Sequence, residues 1–149
     1  MQKVREKLKV LFLCTGNSCR SQMAEGWARH LKSAVIEPYS AGVKTHGLDP
    51  MAVKVMSEAG VDISGHHCKL ASQLRDIPFD YVIIVCGHAN ETCPVFPGKT
   101  KVVRHGFDDP PKLAEGAKTE DEALGHYRRV RDEIERFVLG LPGSLTERS

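Results

Sequence analysis

Two unbroken apolar runs, VLFLC at 10–14 and YVIIVC at 81–86, constrain the fold of this chain more than any other feature. A strand in which every residue is apolar must be covered on both faces, the condition of a central strand in a parallel sheet with helices above and below. Strand-like and helix-like segments alternate without repeats, low-complexity tracts or a linker, so the expectation is one α/β domain over 1–149. AVIEPYSAG (34–42) carries Pro38 and TKVVRH (100–105) is short and basic at both ends, so both read as edge strands. Right-handed crossovers then make 2-1-3-4 the simplest order for a four-stranded parallel sheet, with the first and third strands adjacent. Open α/β sheets bind ligands beyond the strands' carboxyl ends at such a switch point. Cys14 and Cys86 close those two strands, which brings two thiols distant in sequence to one crevice.

The helices between the strands carry clear signals. Met23, Trp27 and Leu31 recur every four residues, with Ala24 and Ala28 beside them as a close-packing face. Asp49-Pro50 is a cap followed by proline at the first helical position, Ala52, Val55, Met56 and Ala59 form one stripe, and Gly60 ends it. Thr119 to Glu122 is a capping box ahead of Leu124, Tyr127, Val130, Ile134 and Phe137, with Gly140 and Pro142 as the stop. The formal charge of +2 is too small to indicate a nucleic-acid or membrane surface, and the basic MQKVREKLK is followed only by KVLFLC, too short for a signal or a span. Five cysteines, an odd number, suit reactive or buried thiols in a reducing cytoplasm better than a disulfide framework.

The turn after the first strand suggests what those thiols do. If a helix starts near Ser21, the amides of Thr15, Gly16, Asn17, Ser18, Cys19 and Arg20 curl around its N-terminus, where the dipole and the unpaired donors favour an anion. Gly16 permits the tight turn, Asn17 tolerates a left-handed conformation, and the planar fork of Arg20 can grip a tetrahedral oxyanion with two donors. The same positive field lowers the pKa of Cys14, to whose thiolate the Ser21 hydroxyl can donate. Cys14 thus reads as a nucleophile aimed at its own ligand, against the plainer alternative of a small buried residue ending a strand.

CTGNSCRS (14–21) resembles the C-x5-R-S phosphate loop of the low-molecular-weight protein tyrosine phosphatase fold, and CTGNSCRSQMAEGWA resembles the thioredoxin-coupled arsenate reductases built on it. YSAG (39–42), HGLDP (46–50), GVDIS (60–64), VCGHANETCP (85–94) and GFDDP (106–110) continue the similarity over nearly the whole chain. The resemblance implies arsenate as substrate, with phosphate or sulfate as competing oxyanions. It makes Cys86 and Cys93 the second and third redox cysteines, Asp109 the acid that protonates the leaving oxygen, and thioredoxin the reductant. Cys14 would attack arsenic, Cys86 would attack the Cys14 sulfur to expel arsenite, and Cys93 would take over the disulfide by thiol exchange. Asp108 beside Asp109 can raise its pKa by like charge.

Such a relay requires the segment 87–99, with its glycines, prolines and few apolar anchors, to rearrange. No cofactor or metal is expected. Some relatives hold potassium through four side chains, of which Asn17, Glu25 and Ser40 match three, but Lys69 stands at the fourth position, so the ion is not carried over. His66, His67 and Cys68 are adjacent, which rarely lets side chains converge on one ion. Two other functions remain open: a tyrosine phosphatase using Cys14, Arg20 and Asp109, and a non-enzymatic oxyanion-binding module. Against the former, Pro111 and Lys112 follow Asp109-Pro110 where the phosphatases tend to carry tyrosines.

Overall fold

Val10, Leu11, Phe12 and Leu13 are wholly inaccessible to solvent, and so are Val82 and Ile83, which are the middles of the two runs that demanded cover on both faces. The computed structural model describes residues 7–16, 19–44, 47–85 and 100–146. Within them β1 (Leu8–Cys14), β2 (Ile36–Gly42), β3 (Tyr81–Ile84) and β4 (Lys101–Arg104) form one sheet. All pairings are parallel and the order is β2-β1-β3-β4, as the apolar runs and edge signals require. Cys14 sits opposite Gly42 and Leu13 opposite Ile84, so the carboxyl ends of three strands are level.

Helix α1 (Arg20–Leu31) follows β1 directly and is buried from Arg20 to Ala28, because it is wedged between the sheet and α4 (Glu120–Leu139). Trp27 closes the contact by donating from Nε1 to the Arg131 carbonyl at 3.2 Å. Asp49 caps α2 (Pro50–Glu58), its carboxylate accepting from the Met51 amide at 3.0 Å. At the other end Gly60 adopts φ +86°, with its amide on the Ser57 carbonyl and that of Val61 on Met56. This left-handed closure is the reason a glycine stands there.

The Thr119 hydroxyl accepts from the Glu122 amide at 3.1 Å, but the Glu122 carboxylate reaches the Lys118 amide rather than that of Thr119, so the reciprocal half of the box lies one residue further out. The sequence reading did not include the short α3 (Pro110–Ala114), a 3-10 turn over Ala71–Leu74, or α5 (Gly143–Thr146). Each is five residues or fewer, too short to show an apolar period. No helix among the described residues is long and apolar enough to cross a membrane.

Gly26 decides how closely the chain after α2 approaches α1. A Cβ there would stand 2.6 Å from the Ile63 Cγ2 methyl, and Ile63 is fully buried and β-branched, with no free rotamer to yield. Gly26→Val is expected to lower unfolding free energy by about 3 kcal/mol in denaturant titrations. Combined with Ile63→Ala, the loss should fall short of the sum of the two single losses, since both act on the same contact.

Candidate active site

Above the carboxyl ends of β1 and β3 lies a cavity of about 500 Å3. Cys14, Thr15, Gly16, Cys19 and Arg20 form one wall, Gly47 to Pro50 a second, and Asp109 with Pro111 a third. Cys14, Thr15, Gly16, Cys19 and Arg20 are there because β1 ends at Cys14 and α1 begins at Arg20, six positions later. The helix starts at Arg20, one residue before the expected Ser21, and Cys19 takes the N-cap position without a side-chain capping bond. The positive end of the α1 dipole therefore stands at this wall of the cavity.

Arg20 is only 7% exposed although it carries a full charge. Its Nη1 donates to the Phe107 carbonyl at 3.0 Å, its Nη2 lies 3.7 Å from Asp109 Oδ1, and its Nε is buried with no hydrogen-bond partner among the described residues. A buried guanidinium N–H without an acceptor is costly, and a bound oxyanion oxygen would satisfy it. Phe107 was not singled out from the sequence, because its contribution is a main-chain carbonyl and any residue could supply it. The segment is held over the site by the Phe107 amide on the Val85 carbonyl, 3.0 Å, and the His105 amide on that of Ile84, 2.9 Å.

Cys14 is 4% exposed at the end of β1, while Ser21 is fully buried behind the turn and is not part of the cavity wall. Cys14, Cys19 and Cys68 are in no disulfide. Burial, reinforced by the Asp49 and Asp109 charges, pushes the Cys19 thiol well above its ordinary pKa despite Arg20, so it stays protonated. Asp109 caps α3, where Pro110 occupies the first turn, and its side chain is not used in the cap but faces Arg20. Asp108 turns away to Arg129 Nη2 at 2.9 Å, so its charge is compensated outside the cavity and the charged neighbour of Asp109 is Arg20.

Asn17 and Ser18 of the loop, and Cys86, Cys93 and the segment 87–99, lie outside the described residues. Val85, which precedes Cys86 in the chain, is fully buried and donates its amide to the Leu13 carbonyl at 2.9 Å, one residue from Cys14. Beneath the loop Glu25, 6% exposed, accepts from the Ser40 hydroxyl at 2.5 Å and from Arg29 at 2.6 Å, with Lys69 Nζ 3.9 Å from its Oε1. Lys69 thus brings its own positive charge to the residues matched to a cation site. His66 pairs through Nδ1 with Gln22 Oε1 at 3.0 Å, and Gln22 donates to the His67 carbonyl at 3.1 Å, so this pair of histidines anchors its loop to α1. Burial lowers the His66 pKa.

The profile of the low molecular weight phosphotyrosine protein phosphatases matches residues 9–149. An arsenate reductase of Halalkalibacterium halodurans is 48% identical over 132 residues, 89% of this chain and 93% of that protein. One from Bacillus licheniformis is 50% identical over 128 residues, 86% of this chain and 90% of that protein. A solved arsenate reductase in its phosphate-binding state superimposes with a TM-score of 0.73 at 30% identity, covering 90% of this chain and 95% of that one. A profile match from the second residue of β1 onward and near-half identity over most of the chain leave one assignment: the chain belongs to the low molecular weight phosphotyrosine protein phosphatase family, in the branch that its arsenate reductase relatives form.

Proposed function

We propose that this protein reduces arsenate to arsenite in the cytoplasm, through a covalent Cys14 adduct and a relay over Cys86 and Cys93 that thioredoxin resets. The observation that carries the reading is the buried Arg20 Nε, which has no partner among the described residues, in a cavity walled by Cys14, a helix N-terminus and Asp109. That arrangement fits a tetrahedral oxyanion, and the relatives named arsenate reductase support arsenate as that anion.

The Cys14 thiolate attacks arsenic(V) and forms a sulfur–arsenic bond, while the Asp109 carboxylic acid gives its proton to the departing oxygen, which leaves as water. Arg20 and the loop amides hold the remaining oxygens and take up their charge. The Cys86 thiolate then attacks the Cys14 sulfur. The sulfur–arsenic electron pair passes to arsenic, which leaves as arsenite, and a Cys14–Cys86 disulfide remains. Cys93 attacks Cys86, releasing Cys14 as thiolate and leaving a Cys86–Cys93 disulfide for the dithiol of thioredoxin to reduce. Val85 supports this order, because its bond to Leu13 ties the residue preceding Cys86 to the strand that ends in Cys14.

The walls speak against a phosphotyrosine substrate. Leu48, Pro50 and Pro111 supply the apolar surface, and no aromatic ring lines the cavity among the described residues. A phenyl ester would find nothing to stack on.

Four outcomes test this reading. Reduced protein mixed with arsenate, without recycling partners, should release one arsenite per pair of thiols lost. Cys93→Ser should release that first arsenite and then stop with Cys14 bound to Cys86, and continued cycling of this variant with thioredoxin would rule the relay out. Arg20→Lys keeps the charge but loses the fork and the Phe107 contact, so kcat/KM for arsenate should fall by about 100-fold. Because a raised thiol pKa favours the protonated form, peptide mass spectrometry after alkylation at neutral pH should find Cys14 modified and Cys19 intact, with phosphate protecting Cys14.

A further inference from the structure

Among the described residues, a cavity proposed to take a multiply charged oxyanion carries two carboxylates, Asp109 and Asp49, against one guanidinium. Asp109 has a proton to deliver and faces Arg20, but Asp49 has no step in the reaction. Left alone in a partly enclosed site, its charge would oppose the binding of any tetrahedral anion. Its two oxygens are both engaged, however. Oδ1 accepts from the Met51 amide at 3.0 Å, and Oδ2 accepts from the Tyr127 hydroxyl at 2.6 Å.

Tyr127 lies 78 residues away on α4, is 3% exposed, and does not itself line the cavity. Burial, followed by the bond to Asp49, raises its phenol pKa far above the usual range, so it remains a donor at every working pH. A short charge-assisted bond of this kind draws the carboxylate's charge toward the donor. We propose that Tyr127 is a positioning residue of the oxyanion site, whose hydroxyl holds and screens the Asp49 carboxylate so that a tetrahedral dianion can occupy the cavity beside it. The inference deepens the arsenate reductase reading and rests on it only for the name of the anion, since the electrostatics apply equally to inorganic phosphate.

Binding of inorganic phosphate, measured by calorimetry on the full chain, is therefore the primary test, with arsenate kinetics beside it. Tyr127→Phe should weaken phosphate binding about fivefold and raise KM for arsenate similarly, with kcat little changed. Asp49→Asn removes the charge, while an asparagine can cap α2 through its oxygen and offer its amide to the Tyr127 oxygen. That variant should bind phosphate at least as tightly as the parent protein. Tyr127→Phe with Asp49→Asn should restore the parent affinity, because no carboxylate is left to screen.

Unchanged phosphate affinity in Tyr127→Phe overturns the proposal. So does a double variant as weak as Tyr127→Phe, which would make the tyrosine a purely mechanical prop of the wall. Weaker phosphate binding by Asp49→Asn overturns it as well, and that variant keeps its cap whatever happens to the tyrosine change. Should no arsenite form in the parent protein while these phosphate results hold, the reductase reading fails and the screening role stands.

Discussion

Everything at the mouth of the sheet depends on the burial of one guanidinium. Arg20 opens α1 at a point where the chain has just left the core, and a charge held at 7% exposure must find acceptors in fixed places. The Phe107 carbonyl supplies one and Asp109 faces the charge from the start of α3, while Nε has no acceptor among the described residues. The arginine is thus tied down on one side and open on the other, which is how a binding group can be rigid before its ligand arrives.

That rigidity is built from below. α1 is buried around most of its circumference, the absence of a side chain at Gly26 lets Ile63 press against it, and Glu25 links the helix to β2 through Ser40. The wall from Gly47 to Pro50 is pinned from the far side by the Tyr127–Asp49 bond. Three segments distant in sequence therefore meet over the strand ends, each anchored in the core.

One anion cradle can serve hydrolysis or reduction, since both begin with a thiolate attacking a tetrahedral centre. The outcome depends on whether that centre can accept two electrons and whether a second thiol can reach the first sulfur. The apolar part of the cavity wall, Leu48, Pro50 and Pro111, is without an aromatic ring among the described residues and suits a bare oxyanion better than an aryl ester. The relatives named arsenate reductase point the same way.

The order of the strands was readable because apolar runs that must be covered on both faces leave few topologies, and VLFLC and YVIIVC are such runs. The start of α2, the cap at Thr119 and the stop at Gly60 were readable because caps and glycine turns are local chemistry. The strand end at Cys14 and the helix start near Ser21 were readable too, since both lie in a few residues between an apolar run and an amphipathic one. The Phe107 carbonyl, the turning of Asp108 to Arg129, the Lys69 charge beside Glu25 and the hold of Tyr127 on Asp49 were not. Tyr127 shows why. In its helix it reads as one more apolar contact, and the hydroxyl acquires a purpose only when packing sets it beside a carboxylate from another segment. Local patterns choose elements and their order, whereas partners across the fold are chosen by how those elements pack.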